Sequence, residues 1–175
     1  MDISSQTFEF LGREFLTWLW FKSEVRNGSV MIPGFGDIEI VFLRRLVFES
    51  GEGDYSETIV CRGFRTDLKE GKTALREGKK IKEARIKLGM GSEEWEFTFK
   101  ADRFCFQSMA LPSHPAFDEE EKDREAQLID RIGMAETAVG TMERLFHLFV
   151  SERLEPTWRS ETLPRIQMWL ADKTT

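Results

Sequence analysis

Three runs between Lys80 and Ser108 leave this chain little choice but an antiparallel sheet. In KIKEARIKLGM, residues 80–90, the charged Glu83, Arg85 and Lys87 alternate with Ala84, Ile86 and Leu88. Trp95-Glu96-Phe97-Thr98-Phe99 alternates in the same way, and Phe104-Cys105-Phe106-Gln107-Ser108 follows. Successive side chains of a strand point to opposite faces, so each run has one apolar and one polar side. The connections, at 89–93 and at Ala101-Asp102, are too short for a parallel crossover and suit hairpins. The pattern predicts an antiparallel meander with one wet face and one packed face.

Two further strands are read upstream. Residues 37–50, DIEIVFLRRLVFES, are apolar on both sides of Arg44-Arg45 and form one bent strand or two. Residues 57–64, ETIVCRGF, form the next, after a turn at 51–55, while the Gly/Pro-bearing 31–36 reads as a loop.

The packed face of such a sheet needs a cover, and four helical segments are available for it. Behind a flexible lead at 1–6, Thr7 is an N-cap for a helix over 8–26 that Asn27-Gly28 stops. Trp20 lies in the middle of this helix's polar strip, Glu9, Arg13, Thr17 and Glu24. Either another element covers Trp20 or it is a partner-facing or base-stacking aromatic. A short helix over 67–78 has a small apolar face, Leu68, Gly71, Leu75 and Gly78, suited to lying close on a sheet. After the LPSHPAF loop, Asp118 and Glu121 have capping-box spacing at the head of a long helix that Pro156 ends. A last helix covers 162–172. The fold class read from this order is α+β, in one domain over 1–175 with 1–6 and 173–175 flexible. An antiparallel β-meander packs with an N-terminal helix, a short helix and a long C-terminal helix.

The long helix carries a seam. Leu128, Ile132, Ala135, Val139, Met142, Phe146 and Phe149 are spaced by alternating fours and threes, the heptad rhythm of helices that pair. A helix running to Leu154 is roughly 50 Å long at about 1.5 Å per residue. Either it packs on the sheet and the first helix, or it overshoots and leaves part of the seam for another chain. With Trp20, these seam residues are the candidate protein interface.

Chemistry leaves fewer marks. The chain is 41% apolar and 32% charged, which suits a soluble globular domain. It has no run of 18 apolar residues and no signal-peptide pattern, so membrane partners are not expected. Cys61 and Cys105 read as free thiols of a reducing cytoplasm, with a disulfide between them left open. His114 and His147 have no second ligand at metal spacing, and no Walker or nucleophile-elbow motif occurs. The acids from Asp118 to Asp123 suit the positive end of their helix. Neither a cofactor, a metal nor a catalytic set is expected.

Charge is the stronger signal. Residues 62–87 hold ten basic and four acidic residues, a segment charge of +6 in a chain of −6. On the short helix Lys69, Lys72 and Arg76 fall at i, i+3 and i+7, one face, and Lys79 and Lys80 extend the line. Either this is a solvated surface whose cations pair with Glu70 and Glu77, or it is a stripe that contacts phosphates without reading bases.

The run DLKEGKTALREGKKIKEARIKLGMGSEEWEFTFKADRFCFQSMALP resembles the C-terminal half of the recombination-associated protein RdgC family. The matching features are the Asp67-Leu68 helix start, Gly78-Lys79 at its end and a basic-then-apolar strand closing on Leu88. Trp95 and Phe97, the strand around Phe104 to Phe106 and a long helix after Asp123-Arg124-Glu125 also match. The opening FLGREFLTWLWFKSE resembles RdgC-like proteins of other bacteria. The resemblance implies non-enzymatic, largely sequence-independent binding of double-stranded DNA in the cytoplasm or nucleoid, restraint of recombinase access, and ring-like dimers. Lys69, Lys72, Arg76, Lys79, Lys80, Arg85 and Lys87 are the residues expected on phosphates, with Arg44 and Arg45 as further candidates. Family members carry an additional N-terminal portion not found here, which puts ring closure in question and admits a separately encoded partner. The alternative is an interaction or dimerisation module without nucleic-acid binding, built on the long-helix seam.

Overall fold

The computed structural model describes residues 3–50, 57–62, 68–113 and 124–171. In chain order these form α1 (Ile3–Val25), β1 (Ser29–Ile32), β2 (Gly36–Ser50), β3 (Glu57–Arg62), α2 (Leu68–Arg76), β4 (Lys80–Met90), β5 (Glu93–Lys100), β6 (Cys105–Ala110), α3 (Arg124–Leu154) and α4 (Leu163–Leu170). A π-helical turn, Trp158–Thr162, leads into α4. The fold is α+β, with every strand pair antiparallel.

The sheet runs β1-β2-β4-β5-β6, and β3 pairs with β2. Only β4-β5-β6 is a plain meander. β2 is the hub: it pairs with β4 on one side, and with β1 and then β3 through its two halves. Arg44-Arg45 does not divide it. It stays one strand of 15 residues whose register against β4 shifts between Phe42 and Leu46.

The alternation sorts the sheet as expected. Ile81, Ala84, Ile86 and Leu88 of β4 and Trp95, Phe97 and Phe99 of β5 are buried in one core with Leu46 and Phe48 of β2. Glu83, Arg85, Lys87, Glu96, Thr98 and Lys100 are the half-buried alternate positions. α1 supplies Phe15, Leu16, Trp18 and Leu19 to the packed side, and α3 supplies Met142, Leu145 and Phe149. α1 approaches so closely that a β-carbon on Gly12 would lie 2.0 Å from the Ala101 carbonyl oxygen. Trp95 fastens α3 to the sheet by donating its indole N–H to the Met134 carbonyl at 3.0 Å.

Several boundaries differ from the sequence reading. α1 begins at Ile3, not after a Thr7 cap, because nothing between Ile3 and Thr7 breaks a helix. Its stop is where expected, with Asn27 and Gly28 both at positive φ. Ser29–Ile32 is a strand rather than the edge of a loop, too short for its alternation to be visible in sequence. Phe104, at φ 49, holds a left-handed conformation uncommon for a bulky residue. Its ring packs edge-on against Phe99 at 4.9 Å and Phe146 at 5.1 Å, which offsets that strain. The expected turn at 51–55 and helix start at Asp118 lie outside the described residues.

Candidate functional site

The expected basic stripe does not form as one surface. Lys72 is buried, with its Nζ 3.1 Å from Glu24 Oε2 of α1 and 4.9 Å from the Trp169 ring centroid of α4. That corrects its placement among exposed phosphate contacts: α2 lies with this face down. Lys79 Nζ is 3.1 Å from Glu57 Oε2 of β3. Arg85 and Lys87 alternate outward on β4, where β5 meets them with acids. Arg85 Nε is 2.7 Å from Glu96, its Nη1 donates to the Ser108 carbonyl at 2.8 Å, and Lys87 Nζ is 2.6 Å from Glu94. The hydrogen bond to Glu94 pushes the Lys87 ammonium above its ordinary pKa. Arg45 Nη2 lies 3.2 Å from Glu83. Arg76 is exposed and donates to Thr73 Oγ1 at 2.7 Å, and Lys80 is exposed. The side chains of Lys69 and Arg44 lie outside the described residues.

The counter-ions placed here are Glu24, Glu57, Glu94 and Glu96 from other elements, beyond the Glu70 and Glu77 that helical spacing suggests. Strand register also sets two cations together, although Arg45 has its contact with Glu83 as well. Arg45 and Arg62 are directly opposite each other across β2 and β3. Residues so placed share a face, with like charges unfavourably close.

The seam of α3 divides in two. Its second part belongs to the core: Met142 and Phe149 are fully buried, and Val139 and Phe146 are half-buried. Met142 and Phe149 are thus not available to a partner. Trp20, 1% exposed, is not available either, because Trp169 of α4 covers it edge-on at 5.2 Å. The first part is different. Leu128 and Ile132, on the same line of the helix, are 58% and 49% exposed, and Ile129 beside them is 62% exposed. From residue 124 to 133 only Gln127 is even partly covered, so about three turns, or 15 Å, extend past the sheet.

Among the described residues no three His, Cys, Asp or Glu side chains gather as a metal site. Cys61 and Cys105 are free thiols, and burial, with the Glu70 carboxylate second, pushes the Cys61 thiol up. His147 is exposed at the rim of a cavity of about 480 Å³ with Glu143, Arg103 and the rings of Phe104 and Phe146. His114 lies outside the described residues. A second cavity, of about 200 Å³, opens between α1 and the C-terminal helices. Sequence reasoning missed it, because its residues come from five separate elements. Among the described residues no helix is long and apolar enough to cross a membrane.

The chain matches no family model, no characterised protein and no solved structure.

Proposed function

We propose that the protein is a non-enzymatic interaction module that pairs with a second copy of itself through the projecting first part of α3. The observation that carries this reading is the exposure of Leu128, Ile129 and Ile132 on a helix whose later turns are buried in the domain's own core. An apolar stripe continuous with a heptad seam is the surface a second helix needs.

The flanking charges favour a copy of the same helix in parallel. With Leu128 and Ile132 at the d and a positions, Arg131 falls at g and Glu136 at the following e. Parallel pairing sets Arg131 of one copy against Glu136 of the other, twice. Antiparallel pairing sets Arg124 and Arg131 together. Arg124, Arg131 and Glu136 are all exposed. The stripe is small beside the roughly 800 Å² per partner of a standard interface, so a weak, concentration-dependent dimer is expected. Light scattering across a concentration series tests this. The wild-type mass rises toward the dimer and that of Ile132→Glu stays monomeric; a wild-type mass equal to the monomer at every concentration removes the reading.

A second reading, sequence-independent binding of duplex DNA, is supported by the Arg45–Arg62 juxtaposition and by the exposure of Arg76 and Lys80. It is also what the resemblance to RdgC-like proteins implies. Each phosphate contact contributes about 0.9 to the salt slope of affinity, so removing both Arg45 and Arg62 flattens that slope by about 2. An unchanged slope in the double variant counts against it.

A further inference from the structure

We propose that the cavity of about 200 Å³ between α1 and the C-terminal helices is a binding site for a small anion with an apolar body, of the aryl carboxylate class. It lies at the far end of α3 from the projecting stripe, roughly 30 Å away along the helix axis, and does not depend on the pairing argued above.

Three cations from three elements line it: Arg13 of α1, Lys80 of β4 and Arg153 of α3, against one carboxylate, Glu14. Neighbours hold Arg13 and Arg153 in place. Arg13 Nη2 is 2.8 Å from Glu49, and Arg153 Nε is 3.0 Å from Glu14 Oε2. A guanidinium has five N–H donors, and the contact to Glu14 occupies only the Nε–H of Arg153. Its remaining fork is the geometry that grips a carboxylate in two parallel hydrogen bonds.

The other walls are apolar. Trp18, Trp158, Leu163 and Ile166 line them. Arg153 also lies over the Trp158 ring, 5.4 Å from its centroid, so cation and aromatic wall are presented together. Trp158 opens the π-helical turn, and Leu163 follows its last residue. Such wide turns recur at functional sites, and here the turn separates the two residues that flank the cleft. The volume of this open cleft is below the 300–1,000 Å³ usual for drug-sized ligands, which suits an occupant of about one ring and its charged group. Cations beside indoles favour an anion with an aromatic body over a cation.

Benzoate is the probe. The indole N–H resonances of the five tryptophans are followed by NMR during titration of the full chain. Those of Trp18 and Trp158 move saturably, with a dissociation constant on the order of 1 mM, as suits so small a ligand. Trp95, Trp20 and Trp169 stay in place. Acetate lacks the body and benzyl alcohol lacks the charge, so both bind at least about tenfold more weakly. Arg153→Gln lowers benzoate affinity by a similar factor. Should that variant fold poorly, Leu163→Trp, a change at a 39% exposed position, fills the cleft and abolishes the shifts. Absence of a saturable shift, equal response to benzyl alcohol, or undiminished binding in a folded Arg153→Gln or Leu163→Trp overturns the assignment.

Discussion

Glu24 of α1 holds Lys72 of α2 with a carboxylate oxygen 3.1 Å from the ammonium, and the same oxygen accepts the indole N–H of Trp169 of α4. One acid thus ties three helices together. The lysine side chain is 9% exposed and the glutamate 24%, and Glu24 Oε1 has no partner of its own among the described residues. Removing the lysine leaves a largely buried carboxylate with only the indole. Loss of one partner of a buried pair costs about 3–5 kcal/mol, and the partial exposure of Glu24 brings the expectation for Lys72→Met to about 2–3 kcal/mol. Arg76→Ala, one turn further and exposed, changes stability by less than about 0.5 kcal/mol. Urea unfolding of the two variants checks the contrast; equal midpoints contradict it.

Gly12 gives a second stability prediction. Alanine is the better helix former by about 1 kcal/mol, and at an open site Gly12→Ala would stabilise α1. Here the added carbon lies 2.0 Å from a backbone oxygen, at Ala101, and neither helix nor turn can yield cheaply. The variant is expected to lose about 1–3 kcal/mol or more, read as a lowered urea midpoint.

These two cases mark how far the sequence could be read. Element types came through because they are local: alternation gave β4 and β5, and the Gly78-Lys79 stop gave the end of α2. The partners of charged groups did not. Arg85 meets Glu96 because of strand register, and Lys72 meets Glu24 because of how two helices cross. Neither relation has a local spacing to reveal it. Trp20 stood on a polar strip by helical count, yet α4 covers it, a placement that only the tertiary fold decides. β3 was read as a strand, but nothing in ETIVCR says that β4 would return to the opposite side of β2. The cleft holding Arg13, Lys80 and Arg153 was illegible for the same reason.

Cys61 sets a pH dependence. Burial, then the Glu70 carboxylate, disfavour its thiolate, so its folded pKa lies above the ordinary 9.0. The thiol is neutral in both states at pH 7 and contributes no slope there. Above about pH 9 the unfolded chain releases this proton first, so stability falls as pH rises toward the folded value. Lys87 acts in the same direction: its ion pair with Glu94 stabilises below the ordinary 10.5 and is lost as pH rises through the raised folded value. Cys61→Ala is therefore expected to lose less stability than wild type between about pH 8 and pH 10. Alkylation by iodoacetamide at about pH 8 should be slower at Cys61 than at the half-buried Cys105, since the thiolate is the nucleophile and Cys61 is buried. Equal rates by peptide mass mapping would contradict the burial argument.

The divided seam of α3 yields the sharpest contrast, because one heptad pattern predicts two opposite outcomes. Met142, fully buried against the sheet, is expected to lose about 2–5 kcal/mol on replacement by alanine, through lost transfer energy and the cavity left behind. Ile132, three turns earlier on the same line and 49% exposed, tolerates glutamate within about 0.5 kcal/mol in the monomer. At concentrations where the chain pairs, Ile132→Glu costs apparent stability through mass action alone, so its effect grows with protein concentration while that of Met142→Ala does not. Unfolding curves at two concentrations separate the terms. If Ile132→Glu is strongly destabilising even in dilute solution, the first turns of α3 are covered within the domain, and self-pairing through them is excluded.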